Sequence, residues 1–427
     1  MKYEPPVRSP LAKAGNLCYH TARTRLTPES TRRIRIMMSR EECAGIRGVN
    51  YGLLTEEAQM RKELSYGRRV NLNALRTWLS FHAWERDGEA YIRRLKESVR
   101  IAYDCGYRVM PILFNGNGEN SASLPDEKRP AMERYMRETV TALKDEPGIL
   151  MWDAMNEPLC CWWINGCSDP GEKAARCGRV WDFLGRMIPV IRECDPGKDV
   201  TVGFTTSWEI DEPTARLCDV LSFHDYSATR SGMNANFDLA ARWGEKLGIP
   251  VLQTETGCLA RSNPYDMVLE ACERRSMGWF VFELMIHGRC DSEHGVFYPD
   301  GTVRDPATIA AMMGCYRCRD LDVMILPVPN REGHAARAVE AVKKALTEYT
   351  DDAFDYRPSD LEKLYEAAEY AANLLECCDM IPMANPPTAQ IFAWRKQTAD
   401  GKKPPLGEVR AFAYDLALRL KEICQLL

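Results

Sequence analysis

Short runs of apolar residues, each four to eight positions long and bounded by turn-forming or polar residues, recur along the first three quarters of this chain. They fall at Gly45–Tyr51, Ala74–Ser80, Tyr107–Phe114, Ile149–Met155, Val200–Phe204, Val220–His224, Pro250–Thr254 and Trp279–Leu284. A nearly continuous apolar run signals a strand buried on both faces, which is the pattern of a parallel sheet covered by helices. Between the runs lie amphipathic segments such as Ala90 to Tyr103, which stops at Cys105-Gly106, and Val180 to Cys194, which stops at Asp195-Pro196-Gly197. Apolar residues every three to four positions, closed by a turn dipeptide, mark helices. Eight strands alternating with helices predict a (β/α)8 barrel.

The pattern changes near residue 325, where Pro327, Val328, Pro329 and Asn330 interrupt it and no further strand-length run follows. Val339, Val342 and Leu346 then share one helical face, and Leu361, Leu364, Ala368 and Leu375 share another behind a Ser359-x-x-Glu362 capping box. Val409, Phe412, Leu416, Leu420 and Ile423 form a third. The expected organisation is a catalytic barrel over residues 1–325 and an all-helical extension over residues 326–427. The extension would pack on the barrel or serve as a homo-oligomer surface.

Composition narrows the function classes. With 427 residues, 45% of them apolar, the chain can bury a large core, which excludes a disordered chain. The formal charge of −5, with acids and bases interspersed, argues against a nucleic-acid partner. The basic stretch Arg32 to Arg40 reads as a solvated face. Met1 to Pro10 carries charges and prolines with no apolar run behind it, so the expectation is neither signal peptide nor membrane anchor, and a cytoplasmic protein. Seventeen cysteines, an odd number, are then expected as reduced thiols. Cys315-x-x-Cys318 is half a zinc site without a second pair, and no glycine-rich phosphate loop follows an early strand, so neither metal nor cofactor is expected.

The chemistry sits in two phrases. Trp152-Asp153-Ala154-Met155-Asn156-Glu157-Pro158 ends the fourth run and Gln253-Thr254-Glu255-Thr256-Gly257 ends the seventh. Each glutamate should therefore emerge at the carboxyl end of a barrel strand, where such barrels keep their active sites. Two facing carboxylates can cleave a glycosidic bond, one donating a proton to the leaving oxygen and the other attacking the anomeric carbon. A carboxylate that attacks needs positive charge or donors near it, for which Arg76 and the Tyr226 hydroxyl are the candidates. Glu157 must keep its proton, helped by a neighbouring carboxylate and the apolar wall of Trp152, Trp162 or Trp163. Pyranose rings stack on indole, and Trp78, Trp84, Trp162, Trp163, Trp208 and Trp279 fall near strand ends. The loop Cys160-Cys161-Trp162-Trp163-Ile164-Asn165-Gly166-Cys167 would shape the pocket mouth.

Asn156-Glu157-Pro158, Phe223-His224-Asp225-Tyr226 and Thr254-Glu255-Thr256-Gly257, in this order at the fourth, sixth and seventh strands, resemble glycoside hydrolase family 5 over roughly residues 40 to 310. The resemblance implies that Glu157 is the acid/base and Glu255 the nucleophile, with about 5 Å between carboxyls and retention of anomeric configuration. It also implies sugar contacts from Asn156 and His224. Phe114-Asn115-Gly116 stands where many relatives end the third strand in histidine, which is similar to the mannan-active branches. Where the eighth strand usually presents tryptophan, Trp279 comes early and Phe282 and Glu283 take the position; Glu283 would be a specificity contact or a buried ion-pair partner. A cytoplasmic enzyme would trim imported oligosaccharides from their ends. The expected substrate is thus a short β-1,4-mannoside such as mannosyl-N-acetylglucosamine, with β-glucosidase or another β-glycosidase as the alternative. A catalytically silent sugar-binding barrel is the alternative of another class.

Overall fold

The computed structural model describes residues 37–316 except for 54–55, 116–125, 228, 259–262 and 287–293, together with scattered positions from 336 to 412. Eight strands form one closed parallel barrel in sequence order. They are β1 (Arg47–Asn50), β2 (Ala74–Trp78), β3 (Arg108–Asn115), β4 (Trp152–Asn156), β5 (Val200–Phe204), β6 (Leu221–Asp225), β7 (Val251–Thr256) and β8 (Gly278–Val281), with β8 pairing back onto β1. This is the expected (β/α)8 barrel. The helical extension and the boundary at 325/326 lie almost wholly outside the described residues, as do Trp162's side chain and Cys318.

Helices separate the strands for reasons visible in the sequence. Arg230–Leu247 begins at Thr229, whose side chain accepts from the Gly232 N–H, and ends at Gly248 in the left-handed conformation with φ 72°. Met233, Phe237, Ala240 and Gly244 recur on its buried face, and Phe237 meets Phe223 of β6 edge-on, ring centroids 5.0 Å apart. Burying one such phenylalanine is worth about 2 kcal/mol. The helix expected over Val180 to Cys194 starts earlier, at Pro170, because Asp169 caps it and proline suits the first helical position. Its first turns are exposed, so apolar periodicity could not show them.

Inside the barrel, the half nearer the strands' amino ends is apolar. Ile46, Ala74, Met110, Leu150, Val220, Leu252 and Phe280 pack together there. The half nearer the carboxyl ends is polar, with Asn50, Arg76, Asp153, Ser222, His224 and Glu255 all buried. The described cysteines are free thiols, and Cys43, Cys161, Cys218, Cys258 and Cys272 are buried as small apolar groups. No described helix is long and apolar enough to cross a membrane.

Candidate active site

β4 delivers Asn156 inside the barrel and then bends sharply. Glu157 has φ 43°, left-handed backbone that a side chain rarely adopts, and its N–H donates to the Gly203 carbonyl of β5 at 2.7 Å. Such strain persists only where neighbours hold it, and it turns the Glu157 carboxyl toward the barrel axis. β7 delivers Glu255, and the chain leaves through Gly257 at φ 93°, where a Cβ would lie 2.1 Å from the Tyr265 ring. Asn263 fixes this exit by accepting from the Gly257 N–H and donating to Asp225 and to the Ser227 carbonyl.

The two carboxylates meet on His224. Its Nδ1 lies 2.8 Å from Glu157 Oε1 and 3.0 Å from Glu255 Oε2. Burial lowers the His224 pKa from 6.5 to about 4, so the ring is neutral near pH 7. A proton on Nδ1 is the one both carboxylates can accept, and this fixes the tautomer; Nε2 is buried without a partner. Beneath them the fully buried Arg76 reaches Glu255 Oε2 at 3.5 Å, Asp153 Oδ2 at 2.9 and 3.0 Å, Asn156 Oδ1 at 2.7 Å and Asn50 Oδ1 at 3.2 Å. Every nitrogen of that guanidinium is thus engaged. Burial raises the Glu255 pKa, and Glu157 adds to this, while Arg76 and a hydrogen bond from Tyr226 oppose it. Asn156 donates to Asn115 Oδ1 at 3.0 Å, which joins the ends of β3 and β4 beside the carboxylate pair.

Gly203 makes this cluster possible. A Cβ there would lie 2.7 Å from Arg76 Nη2, 3.1 Å from Asp153 Oδ2 and 3.2 Å from His224 Nε2. Only glycine leaves room for the three groups to converge.

Trp78, Phe282 and Tyr226 line the same mouth. Trp78 meets Phe282 edge-on at 5.7 Å and lies over Arg76; Phe282 meets His294 at 4.8 Å, and His294 meets Tyr226 at 5.8 Å. Glu283 is half-buried beside Phe282, to which a cis peptide joins it, and its charge reaches Tyr265. Trp208 is 57% exposed on the 3-10 turn Ser207–Glu209 that follows β5.

Arg76 stands beside Glu255, as expected of the positive charge next to an attacking carboxylate, and is wholly buried, so it does not itself face a sugar. Three placements depart from the sequence reading. His224, expected as a sugar contact, is wholly buried and reaches the substrate space only through the carboxylates. Trp279 points out of the barrel wall into the helix layer, since its neighbour Phe280 faces inward against Gly48, and Arg47 covers its ring at 5.6 Å. Trp163 lies under Arg176 and Arg179, at 5.0 and 5.5 Å, and packs on the core. Asp153, Asn50 and Gly203 escaped the sequence reading. Asp153 carried a signal, because an acid inside an apolar strand must be paired.

By donor type, Glu157, His224 and Glu255 could also hold a cation. They are the one such group among the described residues, their ligand atoms all within 4.8 Å of one another.

Comparison with known proteins agrees with this geometry. The family model described as Cellulase (glycosyl hydrolase family 5) matches residues 64–288, more than half of the chain. No curated protein matches. Among solved structures, a GH5_18 variant from Streptomyces cattleya in complex with Manb1-4GlcNAc has TM-score 0.52 and 15% identity, over 67% of this chain and 83% of that one. The endo-1,4-beta-mannanase from Rhizomucor miehei has TM-score 0.49 and 15% identity, over 63% and 92%. An exo-beta-1,4-mannosidase from Opitutaceae bacterium strain TAV5 has TM-score 0.48 and 15% identity, over 76% and 75%.

Proposed function

This chain belongs to glycosyl hydrolase family 5 and is a glycoside hydrolase, and from that premise we propose that it is a retaining, exo-acting β-glycosidase whose substrate is a short β-1,4-mannoside. One observation carries the retaining mechanism. One Glu157 oxygen and one Glu255 oxygen lie within 4.8 Å of each other, a spacing that suits the close carboxyl pair of a retaining enzyme better than the wider pair that holds a water between its carboxyls.

At that separation two ionised carboxylates repel by about 3.5 kcal/mol at an effective dielectric of about 20, which favours a pair that shares one proton. Arg76 and Tyr226 both favour the anion on Glu255, which leaves the proton to Glu157. Glu157 gives that proton to the leaving oxygen while Glu255 attacks the anomeric carbon. Once Glu255 is esterified its charge is gone, and Glu157 takes a proton from water to release the sugar. His224, neutral and wedged between the two, keeps both carboxyls aimed at the same carbon. Asn156 offers its amide to the 2-hydroxyl, where a hydrogen bond strengthens as the oxocarbenium-like state develops. The mannoside choice is supported by Asn115, whose carboxamide adjoins Asn156 where an axial 2-hydroxyl would project, and the neighbour holding Manb1-4GlcNAc suggests the disaccharide to test.

The test is a hydrolysis panel of 4-nitrophenyl β-mannoside, β-glucoside, β-galactoside and β-xyloside with mannosyl-β-1,4-N-acetylglucosamine and mannobiose. Preference for mannosides is expected; preference for gluco or xylo substrates would keep the carboxylate pair and discard the mannoside. Glu157→Gln and Glu255→Gln should each abolish turnover, and azide should restore Glu255→Ala as a glycosyl azide of inverted configuration. Rescue of the other glutamate's variant in that configuration would reverse the two roles.

A further inference from the structure

The segment that follows β8 sends one imidazole back across the exits of three strands. There the chain pairs with itself: the Val296 N–H donates to the Glu283 carbonyl at 3.0 Å, Phe297 to Leu284 at 2.9 Å and Ile286 to Phe297 at 2.7 Å. The returning arm opens with His294 and Gly295. Arg304 Nη1 donates to the His294 carbonyl at 2.9 Å, and the Gly295 N–H donates to the Tyr265 hydroxyl at 2.9 Å. That hydroxyl donates in turn to the Phe282 carbonyl at 2.7 Å. The backbone from His294 onward is thus fixed to the end of β8, and its half-buried side chain reaches residues at the barrel mouth.

His294 Nδ1 lies 2.6 Å from the Gly257 carbonyl, and because a carbonyl only accepts, Nδ1 carries the proton. Asn263 already takes the Gly257 N–H, so side chains hold both polar groups of the residue two positions past Glu255. Anchored there, the imidazole stands between two rings. Phe282, just past β8, meets it at 4.8 Å and 83°, and Tyr226, just past β6, meets it at 5.8 Å and 65°. Both are the edge-to-face arrangement that aromatic rings prefer. Tyr226 is the ring that bears on the chemistry, since its hydroxyl donates to Glu255. It lies one residue beyond the β6 ladder, which ends at Asp225, so the sheet no longer sets its direction; Cys258 packs against it as well.

We propose that His294 is a positioning residue for the hydrolytic reaction: its ring, pinned to the Gly257 carbonyl and braced by Phe282, seats Tyr226 so that the phenol stays on Glu255. It acts on the carboxylate through Tyr226. This rests on the reading of Glu255 as the attacking group and deepens it. A residue that only anchored the segment after β8 would cost the same whether or not Tyr226 kept its hydroxyl, whereas a seat for that hydroxyl loses its value once the hydroxyl is gone.

The experiment is a double-mutant cycle of His294→Ala and Tyr226→Phe, read as kcat/KM on the 4-nitrophenyl glycoside of whichever glycone the wild type prefers. Tyr226→Phe keeps the ring and removes the donor alone. Each single variant is expected to lose about tenfold or more, and the double variant no more than about threefold beyond Tyr226→Phe. His294→Phe, which returns a ring to the place between Phe282 and Tyr226, should lose at least about threefold less than His294→Ala. Losses that multiply in the double variant, or a His294→Ala enzyme within about threefold of wild type, overturn the seat. Azide rescue of Glu255→Ala, run beside the cycle, reports on the nucleophile separately: rescue with multiplying losses discards the seat and keeps the nucleophile, and no rescue overturns the reading on which the seat rests. Thermal unfolding accompanies each variant. If His294→Ala does not fold, the cycle is run with His294→Asn, which can still donate to the Gly257 carbonyl but presents no ring.

Discussion

Removing the cation beside Glu255, the proposed nucleophile, isolates what holds that carboxylate ionised. Arg76 Nη1 lies 3.5 Å from Glu255 Oε2, and both are buried. At an effective dielectric of about 20, that separation corresponds to about 5 kcal/mol of attraction. Because each 1.36 kcal/mol is a factor of ten in rate, complete loss sets a ceiling of about three and a half orders of magnitude on kcat/KM. The single variant Arg76→Met has a second effect, since it leaves Asp153 ionised and alone where no solvent reaches it, at a cost of about 3–5 kcal/mol in stability. Arg76→Met combined with Asp153→Asn removes both charges together and should fold. Without the cation Glu255 holds its proton to higher pH, so the acid limb of the kcat/KM profile moves upward. The expected result, read on 4-nitrophenyl glycoside across pH 4 to 9, is a loss of at least about 100-fold near pH 6 that shrinks as pH rises. Thermal unfolding reports whether the double variant is intact. A folded double variant with its acid limb at the wild-type position and activity within tenfold would refute the assigned role of Arg76.

Two other perturbations probe the same cluster. Gly203→Ala places a methyl 2.7 Å from Arg76 Nη2, which its other bonds prevent from moving away, and should destabilise by about 1–3 kcal/mol and reduce kcat at least about tenfold. Unfolding temperature and kcat both near wild type would mean the cluster is not rigid. His224 has its pKa lowered in the fold, from 6.5 to about 4, so the unfolded chain binds the proton more readily between those values. Its contribution to stability is therefore full above about pH 6.5 and is lost as pH falls toward 4, about 3 kcal/mol in all. Denaturant unfolding of wild type against His224→Gln from pH 7.5 to 4 should show their stability difference shift by that amount against wild type, and a difference independent of pH would contradict the neutral buried ring.

The strands were legible because burial on both faces leaves an unbroken apolar run, and β5 runs from Val200 to Phe204 as expected. Where the runs misled, hydrogen bonding rather than apolarity set the limit. Ile149 was expected to open the fourth strand, yet it forms only an isolated bridge to Val109, and β4 begins at Trp152. The two glutamates were legible because motif and strand end coincide. Arg76 was legible as the charge beside Glu255, but the rest of what surrounds the pair was not: His224 looks like a sugar contact in sequence, and only the third dimension shows it buried beside Arg76, Asp153 and Gly203. Trp279 failed for a simpler reason, since one position along a strand reverses the direction of a side chain.

The buried cluster also fixes the electrical state of the barrel through turnover. In the proposed mechanism Glu157 starts protonated and His224 neutral, and Arg76, Asp153 and Glu255 sum to one negative charge. In the covalent intermediate which that mechanism forms, Glu255 is an ester and Glu157 an anion, and the sum is again one negative charge. The proposed cycle therefore passes an anion between two neighbouring carboxylates, whose facing oxygens lie within 4.8 Å, instead of creating or destroying one. Surroundings already oriented for that charge need little rearrangement between the two half-reactions, so the same fixed dipoles can serve both transition states.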